Sequence, residues 1–578
     1  MARPGRILGL IVGLMICISN LPAQIFIDGN FEDWDDVPVF LQDPIGDVSG
    51  TNVDFGKLKI FDTEDFIFFY LETGFEINLQ DGQNIQMVLD TDDNPATGIR
   101  VRDLGAELVY NFGNRSGNAF LNGNTYTISH PDVGLVSLPT VSSTVFEIAI
   151  RKRISIGGTP VFGSGGCRVL FRNGPNGDYL EENSEAKYYT FSGLASAEVP
   201  AYSIKKKQAG HLRIMSYNVE RDGLLGNVSI GRMLQATSPD IIGFQEIYNT
   251  SLSSVKQQIE TWLPNSTWYI SKAGPDCILV SKYQITATES LEYGGSGSSG
   301  NGAFLLEDPA LGNRKYLIVN AHLPCCDNNT NRQEEVDGIM SFIRDCREGE
   351  GPFELPQESP IFILGDMNLV GYARQLTTFY EGDILDNNTY GPDFGPDTDG
   401  SDLLDCGAFA SGTPLAFTWN DGGSSFSPGK LDYIFYTDNS VQLANAFGLE
   451  TEELPADSLN QYNLELLDSR NGADHIPVIA DFVLDGSTGF FEPVKRTPEI
   501  FGYPNPGRGN LIFTMPEGMT GATSIEVRNF SNQSLVDKKE VEIEDGKIQI
   551  DSSTWSGGVY ILEFSNKNKK FISRQIIK

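Results

Sequence analysis

Residues 361–368 read Ile-Phe-Ile-Leu-Gly-Asp-Met-Asn, a short apolar run followed by polar residues. The apolar run predicts a buried strand. Asp366 and Asn368 follow it directly, so two side chains suited to chemistry lie at the predicted strand end. The pattern Gly-Asp-x-Asn is a weak signal alone, because a simple turn could carry it.

The same arrangement recurs in five other segments between residues 211 and 484. Each segment is an apolar run that presents polar side chains near its end. In chain order they are Arg213–Val219 with Asn218, Asp240–Ile247 with Glu246, Tyr316–Leu323 with His322, Lys430–Phe435 with Asp432, and Ala473–Val478 with Asp474 and His475. Six such segments in a fixed order are a far more specific signal of a functional site than any one of them.

This order of motifs resembles the endonuclease/exonuclease/phosphatase superfamily, which includes DNase-I-like nucleases, neutral sphingomyelinases and inositol-polyphosphate phosphatases. The resemblance runs from about His211 to Leu484. It implies a DNase-I-like α/β four-layer sandwich as the catalytic domain, which we place at residues 201–485. The activity it implies is metal-dependent hydrolysis of phosphoric esters.

The resemblance implies a divalent-metal site built from side-chain oxygens. Glu246 would be the principal ligand, with Asn218 beside it and Asp474 nearby. Carboxylate and amide oxygens are the ligands that Mg²⁺ prefers, with Mn²⁺ and Ca²⁺ as alternatives. Glu220, two residues after Asn218, is predicted on the same strand face as an additional ligand, with a solvated loop position as the equal alternative.

The resemblance also assigns the groups that act on the phosphodiester. His475 and Asp366 would handle the attacking water, and Asp432 would orient the histidine. Asn368 would donate to a phosphoryl oxygen, and His322 would contact the phosphate and protonate the leaving oxygen. Abasic-site nucleases of the superfamily generally carry a tyrosine in place of this histidine, so His322 favours the nuclease and sphingomyelinase branches.

The composition bounds the choice of substrate. The chain has 578 residues, 42 Lys plus Arg and 77 Asp plus Glu, which give a formal net charge of −35. This length predicts several domains. From 205 to 485 there are roughly 17 basic and 40 acidic residues. Such a balance argues against a groove that grips nucleic acid through bulk charge, but it leaves room for an enzyme that meets phosphate through metal ions.

Three functions are weighed on this basis. An extracellular nuclease is the first, since the implied chemistry and export both suit it. A sphingomyelinase-like lipid phosphodiesterase, or a phosphatase of the same fold, is the alternative. The third is a glycan-binding surface adhesin with an incidental enzyme-like domain, and the complete set of motif residues argues against it.

Both ends of the chain predict export. Residues 1–23 combine Arg3 and Arg6 with an apolar run and a small residue at Ala23, as in a secretory signal. Residues 498–578 contain Tyr503-Pro504-Asn505-Pro506 and Gly558-Val559-Tyr560 and resemble the type A sorting domain of the type IX secretion system. That resemblance implies the type IX machinery as a partner and a secreted or surface-attached protein. No later segment is apolar enough to span a bilayer, and residues 486–497 are predicted to be a linker.

Residues 24–200 are predicted to form an antiparallel β-sandwich, because short β-rich runs alternate with turn clusters. The segments Asp28-Gly29, Asp33-Trp34 and Leu89–Asp92 resemble the family-9-like carbohydrate-binding sandwiches, which implies a glycan as ligand. Between Asp90 and Asn94 an Asx-rich turn is favoured over a calcium loop. His130 is predicted to be a surface residue.

The acidic stretch 393–405 is likewise interpreted as a solvated turn rather than a calcium site. The mature chain retains six cysteines after the predicted signal is removed. No zinc-type spacing is present among them. In an exported protein they could form disulfides or remain buried thiols, and spacing does not fix a connectivity.

Overall fold

The computed structural model describes residues 24–48, 53–175, 177–180, 186–196, 199–206, 208–294 and 300–484, and most of 502–577. In that last stretch it leaves out 504–508, 515–521, 530–534, 544–546, 556–557 and 567–568. The predicted signal at 1–23 and the predicted linker at 486–497 lie outside the described residues. The chain divides into two compact units, 1–486 and 487–578. Among the helices within the described ranges, none is long and apolar enough to cross a membrane.

The first part of the larger unit is built almost entirely from strands, apart from a 3₁₀ turn at Glu32–Trp34 and a short helix α1 at His130–Val133. The strands are β1 (Val39–Gln42), β2 (Lys57–Asp62), β3 (Phe66–Ile77), β4 (Ile85–Asp90), β5 (Ile99–Val101), β6 (Leu104–Ala106), β7 (Leu108–Asn111), β8 (Ser116–Leu121), β9 (Asn124–Ile128), β10 (Val136–Leu138), β11 (Ser143–Arg151), β12 (Ser155–Ile156), β13 (Thr159–Pro160), β14 (Gly166–Asn173) and β15 (Tyr188–Thr190).

These strands form an antiparallel sandwich, as predicted. One sheet has the order β1-β2-β3-β11-β10 and the other β15-β14-β4-β7-β8-β9. Alternate side chains of the two sheets fill a common apolar core. The Asp-Trp motif is structural here, because the buried Trp34 indole donates to Glu147 at 2.8 Å and the backbone amide of Gly29 donates to the same carboxylate at 2.8 Å.

Two predictions for this region and one for the catalytic region can be compared with the structure. The Asx-rich turn is present, since the backbone N–H of Asn94 donates to the carboxylates of both Asp90 and Asp92. The prediction for His130 is wrong: the residue is buried, and its Nε2 lies 3.1 Å from the carbonyl of Ser424. The 393–405 turn is only partly solvated, because Asp397 is buried, which raises its pKa to about 6.

The second part of the larger unit alternates strands and helices. Its strands are β16 (Leu212–Asn218), β17 (Ile241–Gln245), β18 (Tyr269–Ala273), β19 (Cys277–Ser281), β20 (Ile285–Leu291), β21 (Asn301–Glu307), β22 (Lys315–His322), β23 (Ile361–Asp366), β24 (Leu404–Asp405), β25 (Asp432–Tyr436), β26 (Val441–Gly448) and β27 (Val478–Leu484). Its helices are α2 (Val228–Thr237), α3 (Leu252–Trp262), α4 (Asn329–Glu348), α5 (Ala373–Glu381), α6 (Asn387–Tyr390), α7 (Ala456–Tyr462) and α8 (Asp468–Gly472), with a 3₁₀ turn at Pro309–Leu311.

Two mixed six-stranded sheets face each other at the centre of this part. Their orders are β18-β19-β17-β16-β27-β26 and β20-β21-β22-β23-β25-β24. One apolar cluster fills the space between the sheets, a second packs α2 and α3 on the first sheet, and a third packs α4 and α5 on the second sheet. The result is the predicted four-layer α/β sandwich.

The smaller unit is all-β, with a three-stranded sheet β28-β29-β32 and a four-stranded sheet β31-β30-β33-β34. Its strands are β28 (Gly502–Tyr503), β29 (Asn510–Thr514), β30 (Ala522–Asn529), β31 (Leu535–Glu542), β32 (Lys547–Asp551), β33 (Gly558–Asn566) and β34 (Lys569–Ile577). Buried aromatic and aliphatic side chains form its core.

The six cysteines of the described ranges are all free thiols. Cys167, Cys277, Cys346 and Cys406 are buried, whereas the adjacent Cys325 and Cys326 are exposed. The alternative of buried thiols thus holds for four of these cysteines, whereas Cys325 and Cys326 are free but exposed.

Candidate active site

Strand register brings three of the predicted residues together at one edge of the second sheet. β22 and β23 are parallel and pair His322 with Asp366, while β23 and β25 are antiparallel and pair Asp366 with Asp432. The three residues are therefore neighbours across adjacent strands. Both faces of these strands are buried, so a slip by one residue would exchange the side chains that pack between the sheets with those that pack against the helices.

Asp366 is the centre of the cluster. Its Oδ2 accepts a hydrogen bond from the amide of Asn218 at 3.1 Å and lies 3.5 Å from Nε2 of His475. The amide of Asn368 also donates to Oδ2 at 3.2 Å, and the Asn368 backbone N–H donates to Oδ1 at 3.0 Å. The carboxylate is almost completely buried, with 2% of the residue exposed. Such a carboxylate is held in one orientation by its partners.

His475 is held by Asp432. Its Nδ1 lies 2.8 Å from Oδ2 of Asp432, and both residues are buried. Thr418 fixes the start of β25, because its hydroxyl oxygen accepts the backbone N–H of Asp432 at 2.8 Å. Burial disfavours the charged imidazole, but the carboxylates of Asp432 and Asp366 outweigh it and raise the pKa of His475 to about 10. Nε2 is thereby directed toward Asp366.

His322 is held by a second carboxylate, which the sequence did not reveal. Nδ1 of His322 lies 2.6 Å from Oδ2 of Asp276, in the turn between β18 and β19. Nε2 of His322 faces the centre, 3.8 Å from Asp366 and 4.0 Å from Glu246. Burial opposes the charged form, but the hydrogen bond that the imidazole donates to Asp276 and the charge of Asp366 raise the pKa of His322 to about 9. The one signal for Asp276 in the sequence was its position as a polar residue directly before the apolar run that forms β19.

Glu246 enters the site from the first sheet. It follows β17 in a left-handed conformation, with φ of 64°, which turns the side chain away from the strand. Its Oε1 accepts the Asn218 amide at 3.2 Å, and its Oε2 accepts the backbone N–H of Arg221 at 2.8 Å. The Glu246 N–H donates to Asp276 at 3.1 Å. Glu246 is therefore coupled to the His322 pair through one carboxylate.

The side chains of Asn218 and Asp474 are held by different partners. The Asn218 amide nitrogen faces Glu246 and Asp366, and its oxygen accepts the backbone N–H of Glu220 at 3.0 Å. An amide that ligates a cation uses its oxygen, so the group would have to turn over to do so. Oδ2 of Asp474 accepts the Trp419 indole N–H at 3.0 Å.

Glu220 does not lie on the strand face predicted for it. β16 ends at Asn218, and Glu220 follows in a turn with φ of 46° and an exposed side chain. The alternation of a strand stops where the strand stops, so the spacing of two residues no longer places both side chains together. Of the two interpretations, the loop glutamate is the one observed.

The donor set fits a hard divalent cation. The carboxylates of Glu246 and Asp366 each accept a hydrogen bond from the Asn218 amide, at 3.2 and 3.1 Å. Carboxylate and amide oxygens are the ligands that a hard divalent cation such as Mg²⁺ prefers. A set of ligand atoms from Asp366, Asp432 and His475 also lies within 4.8 Å, but the hydrogen bond between Asp432 and His475 already accounts for that proximity.

Comparison with known families agrees with this fold and with the smaller unit. Residues 215–455 match the family model described as the Endonuclease/Exonuclease/phosphatase family. Residues 502–578 match that of the secretion system C-terminal sorting domain. The chain thus carries a domain of the endonuclease/exonuclease/phosphatase family and a type IX sorting domain, and it is secreted or attached to the cell surface.

Several solved structures are similar over about half of the chain. The human Nocturnin catalytic domain with bound sulfate is 15% identical, covers 48% of this chain and 95% of its own, and has a TM-score of 0.28. Sphingomyelinase C from Streptomyces griseocarneus is 16% identical, with coverages of 47% and 99% and a TM-score of 0.30. An AP endonuclease from Archaeoglobus fulgidus is 11% identical, with coverages of 47% and 99% and a TM-score of 0.29. No curated protein matches the chain in sequence.

Proposed function

We propose that residues 201–485 form a metal-dependent phosphodiesterase that hydrolyses its substrate by in-line attack of water. The observation that supports this most is the buried Asp366 carboxylate with an imidazole on either side. Nε2 of His475 lies 3.5 Å from it and Nε2 of His322 lies 3.8 Å from it. Each imidazole is oriented through Nδ1 by its own aspartate. Ester hydrolysis needs a proton acceptor for the attacking water and a proton donor for the leaving oxygen, and a carboxylate flanked by oriented imidazoles supplies both.

The two histidines take different roles in this proposal. His475 and Asp366 together handle the attacking water: Asp366 accepts its proton, and the charged imidazole of His475, whose pKa is about 10, holds the water and the carboxylate in place. Asp432 holds the imidazole and balances its charge. His322 donates a proton from Nε2 to the leaving oxygen. Its raised pKa of about 9 keeps the imidazole protonated at neutral pH, as a general acid requires. Asn368 donates to a phosphoryl oxygen once its amide is released from Asp366.

Glu246, with Asn218 and Asp474, would hold the divalent cation, with Mg²⁺ as the first candidate. When bound, such a cation polarises the phosphoryl oxygen and offsets the negative charge that builds up in the transition state. Glu246 is prepared for this role by the backbone N–H of Arg221, which fixes one of its oxygens and leaves the other facing the centre.

The remaining domains complete the proposal. The signal at 1–23 and the sorting domain at 498–578 would direct export, with the type IX machinery as partner and 486–497 as the linker. The sandwich at 24–200 retains the predicted glycan as its hypothetical ligand. Extracellular nucleic acid is the predicted substrate, and a sphingomyelin-like lipid is the alternative. Both present a diester phosphate to the same centre, so the walls around the centre decide between them.

The experiment follows hydrolysis of plasmid DNA, sphingomyelin and bis(p-nitrophenyl) phosphate by the mature protein with Mg²⁺. We expect turnover of at least one diester that the His475→Ala variant loses. His211→Gln is the matched control, because His211 is also buried but lies outside the cluster. A folded protein without activity on any of the three would overturn the proposal.

A further inference from the structure

The β-sandwich is joined to the catalytic domain by backbone pairing. The N–H of Ile27 donates to the carbonyl of Pro414 at 3.0 Å, and the N–H of Ala416 donates to the carbonyl of Ile27 at 2.8 Å. Ile27 and Leu415 thus form a parallel bridge. A shared apolar cluster surrounds this bridge and includes Trp34 from the sandwich and Ile476, next to His475. A module on a free tether would not have this buried connection.

A second set of contacts reaches the segment that follows Asn368. The backbone carbonyls of residues 369, 370 and 371 each accept a hydrogen bond from the sandwich. The donors are the Thr140 hydroxyl, the Asn78 amide and the Ser142 backbone N–H, each at 2.7 Å. The sandwich therefore fixes the chain immediately beyond Asp366 and Asn368.

A cleft of about 700 Å³ lies where the two domains meet. The sandwich lines it with His130, Pro131 and residues 134–136, and the catalytic domain lines it with residues 420–423, 450, 452 and 453. The lining also includes Asp474, a predicted metal ligand, and Ile476, next to His475. This volume matches the range in which proteins bind small molecules. The cleft therefore adjoins the candidate active site through Asp474.

The walls of the cleft carry an excess of negative charge. Glu220, Asp421, Glu450, Glu452, Glu453 and Asp474 are the carboxylates of the lining. Its two arginines are already paired, Arg151 with Glu453 and Arg470 with Glu452. Both are therefore engaged before a second phosphate could reach them. A substrate with further phosphates would place like charges against these walls, which costs binding energy.

We infer that the substituent next to the scissile phosphate binds in this cleft, and that the sandwich forms one wall of a substrate pocket selective for small phosphodiesters with non-anionic substituents. The inference rests on the proposed function and narrows its substrate class. It assigns the sandwich a role in substrate selection inside one catalytic unit. Polymeric nucleic acid is disfavoured by the same charges.

The test uses two probes with one leaving group. Thymidine 5′-(p-nitrophenyl phosphate) is a small diester with an uncharged nucleoside, and its 3′-phosphorylated form adds a single anionic group. For the wild-type mature protein we expect kcat/KM to favour the uncharged probe about tenfold. Pro131→Lys places a positive charge on the sandwich wall at an exposed position. This variant should reduce the kcat/KM ratio of the uncharged probe to the 3′-phosphorylated probe about threefold. Added salt should make this reduction smaller.

Glu354→Lys is the matched control, because its side chain is 92% exposed and does not line the cleft. It should leave the ratio of the two probes unchanged. Equal turnover of both probes by the wild type, or a ratio that Pro131→Lys does not alter, would overturn the inference and leave the proposed function intact. Absence of p-nitrophenol release from both probes, in a protein that hydrolyses bis(p-nitrophenyl) phosphate, would overturn the inference alone. Inactivity on these probes and on all three substrates named above would overturn both.

Discussion

The two imidazole–carboxylate pairs of the active site face the same Asp366 but come from different parts of the fold. Asp432 begins β25 and His475 lies three residues before β27, and both are buried. His322 ends β22, keeps 12% of its side chain exposed, and pairs with Asp276 from a turn of the opposite sheet. Both histidines have a raised pKa, about 10 and about 9.

The difference between the pairs suggests a division of labour. The more deeply buried His475 is suited to keep one water and one proton close to Asp366. The more accessible His322 contacts both Asp366 and Glu246, so it can meet a leaving group that enters from outside. The position of each imidazole in the fold thus decides which part of the reaction it serves.

Asp366→Asn removes the group that both pairs share and should have the largest effect. We expect kcat to fall by about 10³–10⁴, because neither proton transfer keeps its partner. The Asn side chain has the same shape, so the melting temperature should change little. Steady-state kinetics and thermal denaturation measure the two effects. Asp383→Asn, at a half-exposed site paired with Arg374, should keep full activity.

Asp432→Asn and Asp276→Asn separate the two pairs. Asp432→Asn should lower kcat about 10²-fold on any diester, because the water-activating imidazole loses its orientation. Asp276→Asn should lower kcat only for a substrate with an alcohol leaving group, since p-nitrophenolate leaves without a proton. The measurement compares kcat for bis(p-nitrophenyl) phosphate and a dinucleotide. Equal losses for both variants on both substrates would contradict the division of labour.

The pH dependence of stability gives a smaller effect in the metal-free protein. A histidine has a pKa near 6.5 when unfolded, and His322 has one of about 9 when folded. The folded state therefore binds the proton more tightly, and the added stability is present below about pH 6.5 and is lost as the pH rises toward 9. We expect the free energy of unfolding to fall by about 1–3 kcal/mol over this window. Urea denaturation at several pH values should show a smaller fall in the free energy of unfolding with pH for His322→Gln than for the wild type. The same pH dependence in both proteins would contradict a raised pKa of His322.

Trp419→Phe should have the smallest effect. It removes the indole donor to Asp474 but keeps an aromatic ring, so we expect a loss of about 1 kcal/mol in stability. Activity should fall less than tenfold, because Asp474 is not the main ligand in the proposal. A loss of activity as large as that of Asp366→Asn would instead make Asp474 the main metal ligand.

Much of the fold could be predicted because its signals are local. The apolar runs before Asn218, Glu246, His322 and Asp366 each correspond to an observed strand. Parallel pairing then brings strand ends together without further information. The sandwich was predicted for the same reason, since strand alternation and turn residues lie within short segments. The sorting domain was predicted instead from the resemblance carried by Tyr503-Pro504-Asn505-Pro506 and Gly558-Val559-Tyr560.

The parts that sequence could not reveal depend on contacts between distant segments. Asp276 lies in a hairpin turn with no motif, and only its 2.6 Å approach to His322 gives it a role. His130 is buried because the loop at Ser424 covers it, not because of its own neighbours in sequence. Glu220 depended on where β16 ends, and strand ends are the least certain feature of a sequence pattern.

In the proposed function Glu246 holds the cation and Asp366 handles the attacking water, so hydrolysis should require a divalent cation. The most direct measurement is the rate of bis(p-nitrophenyl) phosphate hydrolysis after chelation and then after Mg²⁺ is added back, for the wild type and Glu246→Gln. We predict that chelation abolishes activity, that Mg²⁺ restores it in the wild type, and that Glu246→Gln stays inactive while folded. Full activity without a divalent cation, or equal recovery in both proteins, would contradict the account.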